Sequence, residues 1–533
     1  MLTLPMMFAD HMVLQRNKQL NIFGQAEPGA LVLVRLTGGG KTVERRKYAE
    51  ADGAFCVHIP PQPAGYGRTM EITDGTDTVR IEDVAIGEVW LAGGQSNMEY
   101  LMDTDAEKKD EQAAIEGDEV LKERLRFFDY PEVSYEGMLE AWDYSNFGLW
   151  RKLTPEDLPY FSAVSYFFMR KVASLLDENV PVAVIGCNWG GTRSVCWLPE
   201  ETIKEAGGAV WLEDYEKEME DHKDQLEQAM AMFKTVRQGV VSDPATPSPF
   251  DRILYPGFTK EEQEEAVKQM AEYQAFNFLH PLHYWRPCGL YHTMLEKIMP
   301  YTLRGFIWYQ GCSDEFHPDL HQKMLSAVVH KWRKDFQDET MPFLLVQLAP
   351  FGWWLGNAGD KYPELRDQQL KCVDLEDNVY AASMGDAGMR YDIHPKYKRK
   401  PGERLGLLAL QHVYDLPVDG DAPRAVSAKA DGDSVRICFD HGAGLHLEPA
   451  TNGGFDAPIS TDPMESLLCT LKTVPEGQIK AEIQEDQLIV SLTVDGKPVI
   501  PEEVSFAWEP YYEINLYNEA GLPAFPFRLQ VEK

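Results

Sequence analysis

The chain lacks paired cysteines. Its eight (Cys56, Cys187, Cys196, Cys288, Cys312, Cys372, Cys438 and Cys469) are dispersed, with no CxxC and no zinc-ligand spacing, which argues against a disulfide scaffold or a structural zinc site. No stretch approaches 18 apolar residues, so the sequence holds no membrane-spanning helix. Met1 to Asp10 carry neither the basic region nor the sustained apolar core of a secretory leader. Together with reduced thiols, these absences set the expectation of a cytoplasmic protein. Positive charge is also scarce, 51 Lys and Arg against 85 Asp and Glu for a formal charge of −34. Nucleic acid and anionic membranes are therefore not expected partners, and only a local Arg or Lys cluster would hold an acidic substrate. There is no HExxH motif, so neither a metal nor a cofactor is expected. Nor is there an internal repeat or a low-complexity tract.

What is present is a folded chain of 533 residues with 44% hydrophobic content, long enough for two to four domains. Residues 1–83 alternate short apolar stretches (19–24, 30–36, 55–59, 69–72, 79–81) with Gly, Pro and Asp turns, the pattern of a small β domain. From 84 to 419 the rhythm becomes apolar strands (88–92, 181–186, 303–309, 343–349, 379–384) alternating with helical stretches (162–176, 289–299, 319–336, 362–372, 403–414). That alternation predicts an α/β domain, a parallel sheet flanked by helices, with its site at the carboxyl ends of the strands. Two segments, about 100–160 and about 200–285, interrupt the rhythm and read as helical insertions. In the second, Leu212, Tyr215, Met219, Leu226, Met230 and Phe233 share one face of an acidic amphipathic helix that Gly239 can end. After 420 the β alternation returns (434–439, 487–494, 504–508) to make a C-terminal, sandwich-like β domain running to 533.

Four segments at predicted strand ends carry chemistry. The run Gly93-Gly94-Gln95-Ser96-Asn97 delivers a serine after a glycine turn, either an exposed nucleophile or a helix N-cap. Gly190 and Gly191 allow close backbone approach and can offer an N–H to an oxyanion. Gln310 offers a side-chain amide. Asp392 and His394 supply a carboxylate and an imidazole, with Asp386 at the strand end as a second carboxylate. Serine, histidine and aspartate are the parts of a nucleophilic acyl-transfer site. Asp314 and His317 read as a polar loop at the pocket rim. Trp353 and Trp354 follow the 343–349 strand and are candidate sugar-stacking platforms.

The runs Gly94 to Met98, Trp308 to Gly311 and Asp392 to Pro395 resemble those of the sialate O-acetylesterase and carbohydrate acetylesterase family, within the SGNH/GDSL hydrolases. The resemblance extends to Phe8 to Arg16 near the start, and to Asn515 to Pro523 with Pro526 to Arg528 near the end. It implies a serine esterase that releases acetate from an acetylated mono- or oligosaccharide. It implies Ser96 as nucleophile, His394 as base and then acid, and Asp392 as its orienting partner. The oxyanion hole would comprise the Ser96 N–H, a Gly190 or Gly191 N–H and Gln310, with Asn97 near the substrate. Cys312 stands where the family usually has Glu. Asp314 stands where sialate esterases often have Asn and xylan-type acetylesterases often have Asp, so acetylated xylo- or manno-oligosaccharides are an alternative substrate. A non-catalytic carbohydrate-binding protein is the rival of another class, and homo-oligomerisation stays open.

Overall fold

The computed structural model describes residues 1–234, 243–245, 249–254, 259–274, 278–354, 356–449 and 460–533. Gly239, expected to end the amphipathic helix, lies outside them. The chain divides into two compact units, residues 1–313 with 323–343, and residues 314–322 with 344–533.

The first unit begins with strands β1 (Val13–Gln15), β2 (Leu20–Gln25), β3 (Leu31–Gly38), β4 (Lys41–Tyr48), β5 (Ala54–Ile59) and β6 (Gly65–Thr73). All except β1 and β4 fall on the predicted apolar stretches. Strand β4, Lys-Thr-Val-Glu-Arg-Arg-Lys-Tyr, pairs among the described residues only with β3 and is largely exposed. Its charges suit an unpaired sheet edge and hide it from a search for alternating apolar residues.

Strand β7 (Thr78–Gly94) is 17 residues long. Its first half pairs antiparallel with β6, and Ala85 to Gly87 pair parallel with β1. Its second half is the centre of a parallel sheet, with β10 (Val182–Asn188) on one side and β11 (Gly305–Tyr309) on the other. The change of rhythm at residue 84 therefore falls inside one continuous strand. Beyond β10 the sheet adds β8 (Leu125–Asp129), parallel, and β9 (Trp150–Lys152), antiparallel. Strands β7, β10 and β11 are buried along their parallel stretch, which is why they read as unbroken apolar runs.

Two expectations are corrected here. The segment 100–160 is not a purely helical insertion, since besides its helices at Lys108–Glu116 and Glu119–Arg124 it supplies β8 and β9. The signal was masked by Arg126, a fully buried arginine inside β8 whose guanidinium donates to the carbonyls of His11 and Asp83. The amphipathic face of 212–233 belongs to two helices, Ala209–Asp221 and Leu226–Phe233, broken around His222 to Gln225.

In the second unit, β12 (Phe343–Val346) runs in from the first, and β13 (Val379–Ala382) follows the helix Tyr362–Leu375. The helix Arg399–His412 begins four residues earlier than the apolar pattern indicated. Among its described residues, the C-terminal region is all β apart from the helix Pro463–Thr470. Its sheet runs in the order Leu471–Val474, Glu503–Phe506, Phe527–Glu532, Arg424–Asp431, Ser434–Asp440, Gln487–Val494, Gln478–Gln484. Val435, Ile437, Leu488, Val490, Phe506 and Phe527 form its core.

Candidate active site

The serine turn is built by crowding. A Cβ on Gly94 would lie 2.3 Å from the Tyr309 carbonyl oxygen, and one on Gly93 would meet the rings of Trp332 and Trp308 at 2.6 and 2.8 Å. Only glycine fits where β11 and its neighbours press on the end of β7, and Gly94 adopts φ +137°, a region that favours it. The Gln95 N–H then donates to the Tyr309 carbonyl at 3.1 Å, and the Gln95 Oε1 accepts from the Gly311 N–H at 3.0 Å. A short helix, Ser96–Glu99, starts here with Gln95 at its N-cap. Ser96 is thus the first helical residue rather than the cap. Every residue from Val84 to Met102 is buried except Ser96, which is half-buried. Asn97 beside it is 3% exposed and less available to a ligand than the serine.

The glycine pair follows β10, the strand next to β7. The Trp189 N–H donates to the Gly94 carbonyl at 3.3 Å, tying the two turns together. Gly191 adopts φ +72°, and a Cβ there would lie 2.8 Å from the Trp285 indole nitrogen. Thr192 Oγ1 donates to the Trp189 carbonyl at 2.7 Å and accepts from Trp197 Nε1 at 3.1 Å. Gln310, after β11, donates from Nε2 to the Thr192 carbonyl at 3.3 Å. Ser96, Gly190, Gly191 and Gln310 therefore stand on three adjacent loops at the carboxyl edge of one sheet, joined by hydrogen bonds.

The sequence did not reveal what supports the glycine loop. Trp189 stacks on Tyr284 (centroids 4.8 Å, 11° between planes), which stacks on His283 at 4.8 Å. Burial pushes the His280 imidazole down to about 4 and His283 well below its ordinary value, so this ladder is uncharged at neutral pH. The far end of the second insertion is thus packed beneath the oxyanion candidates.

In the second unit, the Asp392 carboxylate accepts from the His394 backbone N–H at 2.8 Å and lies 3.5 Å from His394 Nδ1. Lys396 Nζ donates to its other oxygen at 2.6 Å. Burial alone would raise the Asp392 carboxyl, but the contacts from His394 and Lys396 outweigh it and bring it down to about 2. His394 is 5% exposed. Burial lowers its imidazole below the ordinary value, against the upward pull of Asp392. Asp386, the alternative carboxylate, is held instead by both terminal nitrogens of Arg404 at 2.7 and 2.8 Å and by Lys400 at 2.9 Å. Burial opposes its charge, yet these cations keep it well below the carboxylate range. It is a structural ion pair and does not touch the histidine.

The two tryptophans differ. Trp353 is 53% exposed, as a platform requires. Trp354 is set edge-on to the His394 ring (centroids 5.1 Å, 88°), so one of its contacts is with the imidazole. The Asp314 expectation is corrected, because its carboxylate is buried and accepts from His321 Nδ1 at 2.8 Å. His321, opening the helix that follows, draws it inward, so Asp314 is no polar rim. Among the described residues, no group of three or more His, Cys, Asp or Glu is arranged to hold a metal ion, and no helix is long and apolar enough to cross a membrane.

A parallel α/β sheet with a glycine-presented serine and an amide-lined edge carries the chemistry of a carboxylic ester hydrolase. Residues 280–406 match the family model described as carbohydrate esterase, sialic acid-specific acetylesterase. The chain is similar to sialate O-acetylesterase of Mus musculus, 24% identical over 98% of this chain and 93% of that protein. It is 25% identical to the Homo sapiens sialate O-acetylesterase over 95% of this chain and 88% of that protein. Its fold matches the crystal structure of a carbohydrate acetylesterase from Xanthomonas citri with a TM-score of 0.72 at 25% identity, over 99% and 100% of the two chains.

Proposed function

We propose that the chain hydrolyses O-acetyl esters of sugars by a serine acyl-transfer mechanism. The observation that carries this is Ser96, the one residue not buried in a 19-residue run, held on a glycine turn beside Gly190, Gly191 and Gln310. In the reaction, Ser96 Oγ attacks the acetyl carbonyl while His394 takes its proton. Asp392, near Nδ1, orients the ring so that Nε2 does the transfer. The carbonyl oxygen becomes an oxyanion held by the Ser96 N–H, a Gly190 or Gly191 N–H and the Gln310 amide. His394 then returns the proton to the sugar oxygen as it leaves. Water, deprotonated by the same imidazole, releases acetate and restores Ser96.

The Gln310 amide, anchored to the Thr192 carbonyl, is the side-chain donor assigned to the oxyanion. Gln310→Ala is therefore expected to lower kcat about 100- to 1000-fold, checked by steady-state acetate release. A loss below about fivefold would remove it from the hole.

His394 works as a base only when neutral, and its folded value lies below the ordinary 6.5. The acid limb of the pH dependence of kcat/KM should thus fall below pH 6.5. Asp392 pulls the imidazole value up, so Asp392→Asn should move that limb further down and slow turnover. A limb at or above 6.5, or an upward shift in the variant, would contradict the pairing.

The substrate we favour is an O-acetylated sialic acid, in keeping with the family model and the mammalian relatives. Asp314, at a position where xylan-type acetylesterases often carry Asp, favours acetylated xylo- or manno-oligosaccharides as the second reading. Acetate release from 9-O-acetyl sialic acid, compared with these oligosaccharides, separates the two, and release from the oligosaccharides alone would sink the first. We also place the reaction in the cytoplasm, a reading supported by eight cysteines that are all free thiols.

A further inference from the structure

Strand β8 ends on Asp129, at the same carboxyl edge of the parallel sheet from which Ser96 and the glycine pair emerge. In register, Asp129 lies beside Gly186 of β10, and Gly186 lies beside Ala92 of β7. The side chain of Asp129 is therefore two strand spacings, about 10 Å, across the edge from β7. It occupies the space a side chain at 186 would need, since a Cβ there would sit 2.7 Å from Asp129 Oδ1 and 3.6 Å from Asn188 Nδ2. Asn188 in turn is in register with Gly94, two residues before the nucleophile, and donates to the Ala92 carbonyl at 3.4 Å.

No described protein group donates to the carboxyl, while the backbone oxygen of Asp129 is satisfied by the Gly148 N–H at 2.8 Å. Asp129 is half-buried, so the group is neither in bulk water nor sealed. The charged and titratable groups acting on it are Arg151, on β9, and Cys187, on β10. Burial raises the carboxyl to about 7, against the attraction of Arg151. A half-buried carboxyl with no protein donor keeps its acceptor sites open to whatever occupies the edge. A hydroxyl-bearing ligand lying along the edge would find a bonding partner there. At neutral pH the group is divided between a carboxylate, which accepts from a hydroxyl, and a carboxylic acid, which also donates to one.

We propose that Asp129 is a specificity residue of this esterase, its carboxyl group bonding a hydroxyl of the saccharide whose acetyl ester is presented to Ser96. The proposal rests on the sugar-esterase reading above. In it, the acyl group lies at the β7 turn and the sugar extends along the edge over β10 toward β8. Asn188, between the two, forms the floor.

The test compares two substrate kinds in wild type, Asp129→Ala and Asp129→Asn. They are the better hydrolysed of 9-O-acetyl sialic acid and acetylated xylo-oligosaccharide, and an aryl acetate that has no hydroxyl to offer. The ratio of kcat/KM for the saccharide to kcat/KM for the aryl acetate is expected to fall about 10- to 100-fold in Asp129→Ala, chiefly through KM. Asp129→Asn, which keeps the shape and one acceptor oxygen, is expected to fall between. A ratio within twofold of wild type in both variants would overturn the proposal, because a merely structural defect lowers both substrates together. A wild-type protein that cleaves the aryl acetate but no acetylated saccharide would overturn the sugar reading and this proposal with it.

Discussion

Ser96→Ala is expected to reduce acetate release by about 10⁴-fold or more while leaving Tm within a degree or two of wild type. Removing a serine nucleophile eliminates the covalent route, and what survives comes from binding and from the oxyanion donors alone. The Ala variant keeps those donors, because the turn is set by Gly93, Gly94 and the two bonds of Gln95 rather than by the serine hydroxyl. The half-buried position of Ser96 means that deleting one oxygen leaves no deep cavity, so stability should hardly move. Titration of released acetate with matched thermal melts checks both halves. A variant retaining a tenth of wild-type turnover would remove Ser96 from the mechanism.

The largest stability effect should come from Glu88. Its carboxylate is fully buried inside β7. It accepts from the Arg16 Nε, from Arg304 Nε and Nη2 at 2.6 and 3.1 Å, and from Gln15 Nε2 at 3.1 Å. One anion thus fixes residues from β1, from the turn after it and from the entry to β11. Burial would raise its carboxyl, but Arg304 and Arg16 hold it below the ordinary range. Glu88→Ala takes the shared carboxylate away from two guanidinium groups, each about one-fifth exposed. Breaking a buried pair in this way costs about 3–5 kcal/mol. Denaturant unfolding read by tryptophan fluorescence would show it, and a loss below about 1 kcal/mol would mean the arginines find other partners. The sign with pH follows from the depressed carboxyl. This stabilisation is complete above the unfolded-state carboxylate value near 4.5 and is lost as pH falls through the lower folded value, so wild type and Glu88→Ala should converge in acid.

Where the sequence was legible, packing was simple. Strands β10 and β11 are buried on both faces and announce themselves as apolar runs, and the glycines at 93 and 94 mark the turn because backbone contact there excludes a Cβ. It was illegible where a polar group is satisfied by distant chain. Arg126 in β8 looks like a solvated residue until the carbonyls of His11 and Asp83 close around it. The choice between Asp386 and Asp392 likewise depends on Arg404, a residue 18 positions beyond the first, whose fork claims that carboxylate. Trp353 and Trp354, adjacent and identical in chemistry, are separated only by which of them meets the imidazole. Asp129 gave no signal at all, because an unbonded carboxyl is defined by what surrounds it and not by its neighbours in the chain.

The uninterrupted run of β7 from Thr78 to Gly94 has a bearing on how such a chain can change. Modular proteins exchange their parts at linkers, and here the join between the N-terminal β region and the hydrolase core contains none. A gene cut at codon 84 would sever the strand that ends at the nucleophile. A cut at codon 78 would spare the strand but strip β6 and β1 from its first half. Recombination therefore has no seam at this place, and the leading β region and the serine turn are expected to be inherited as one piece.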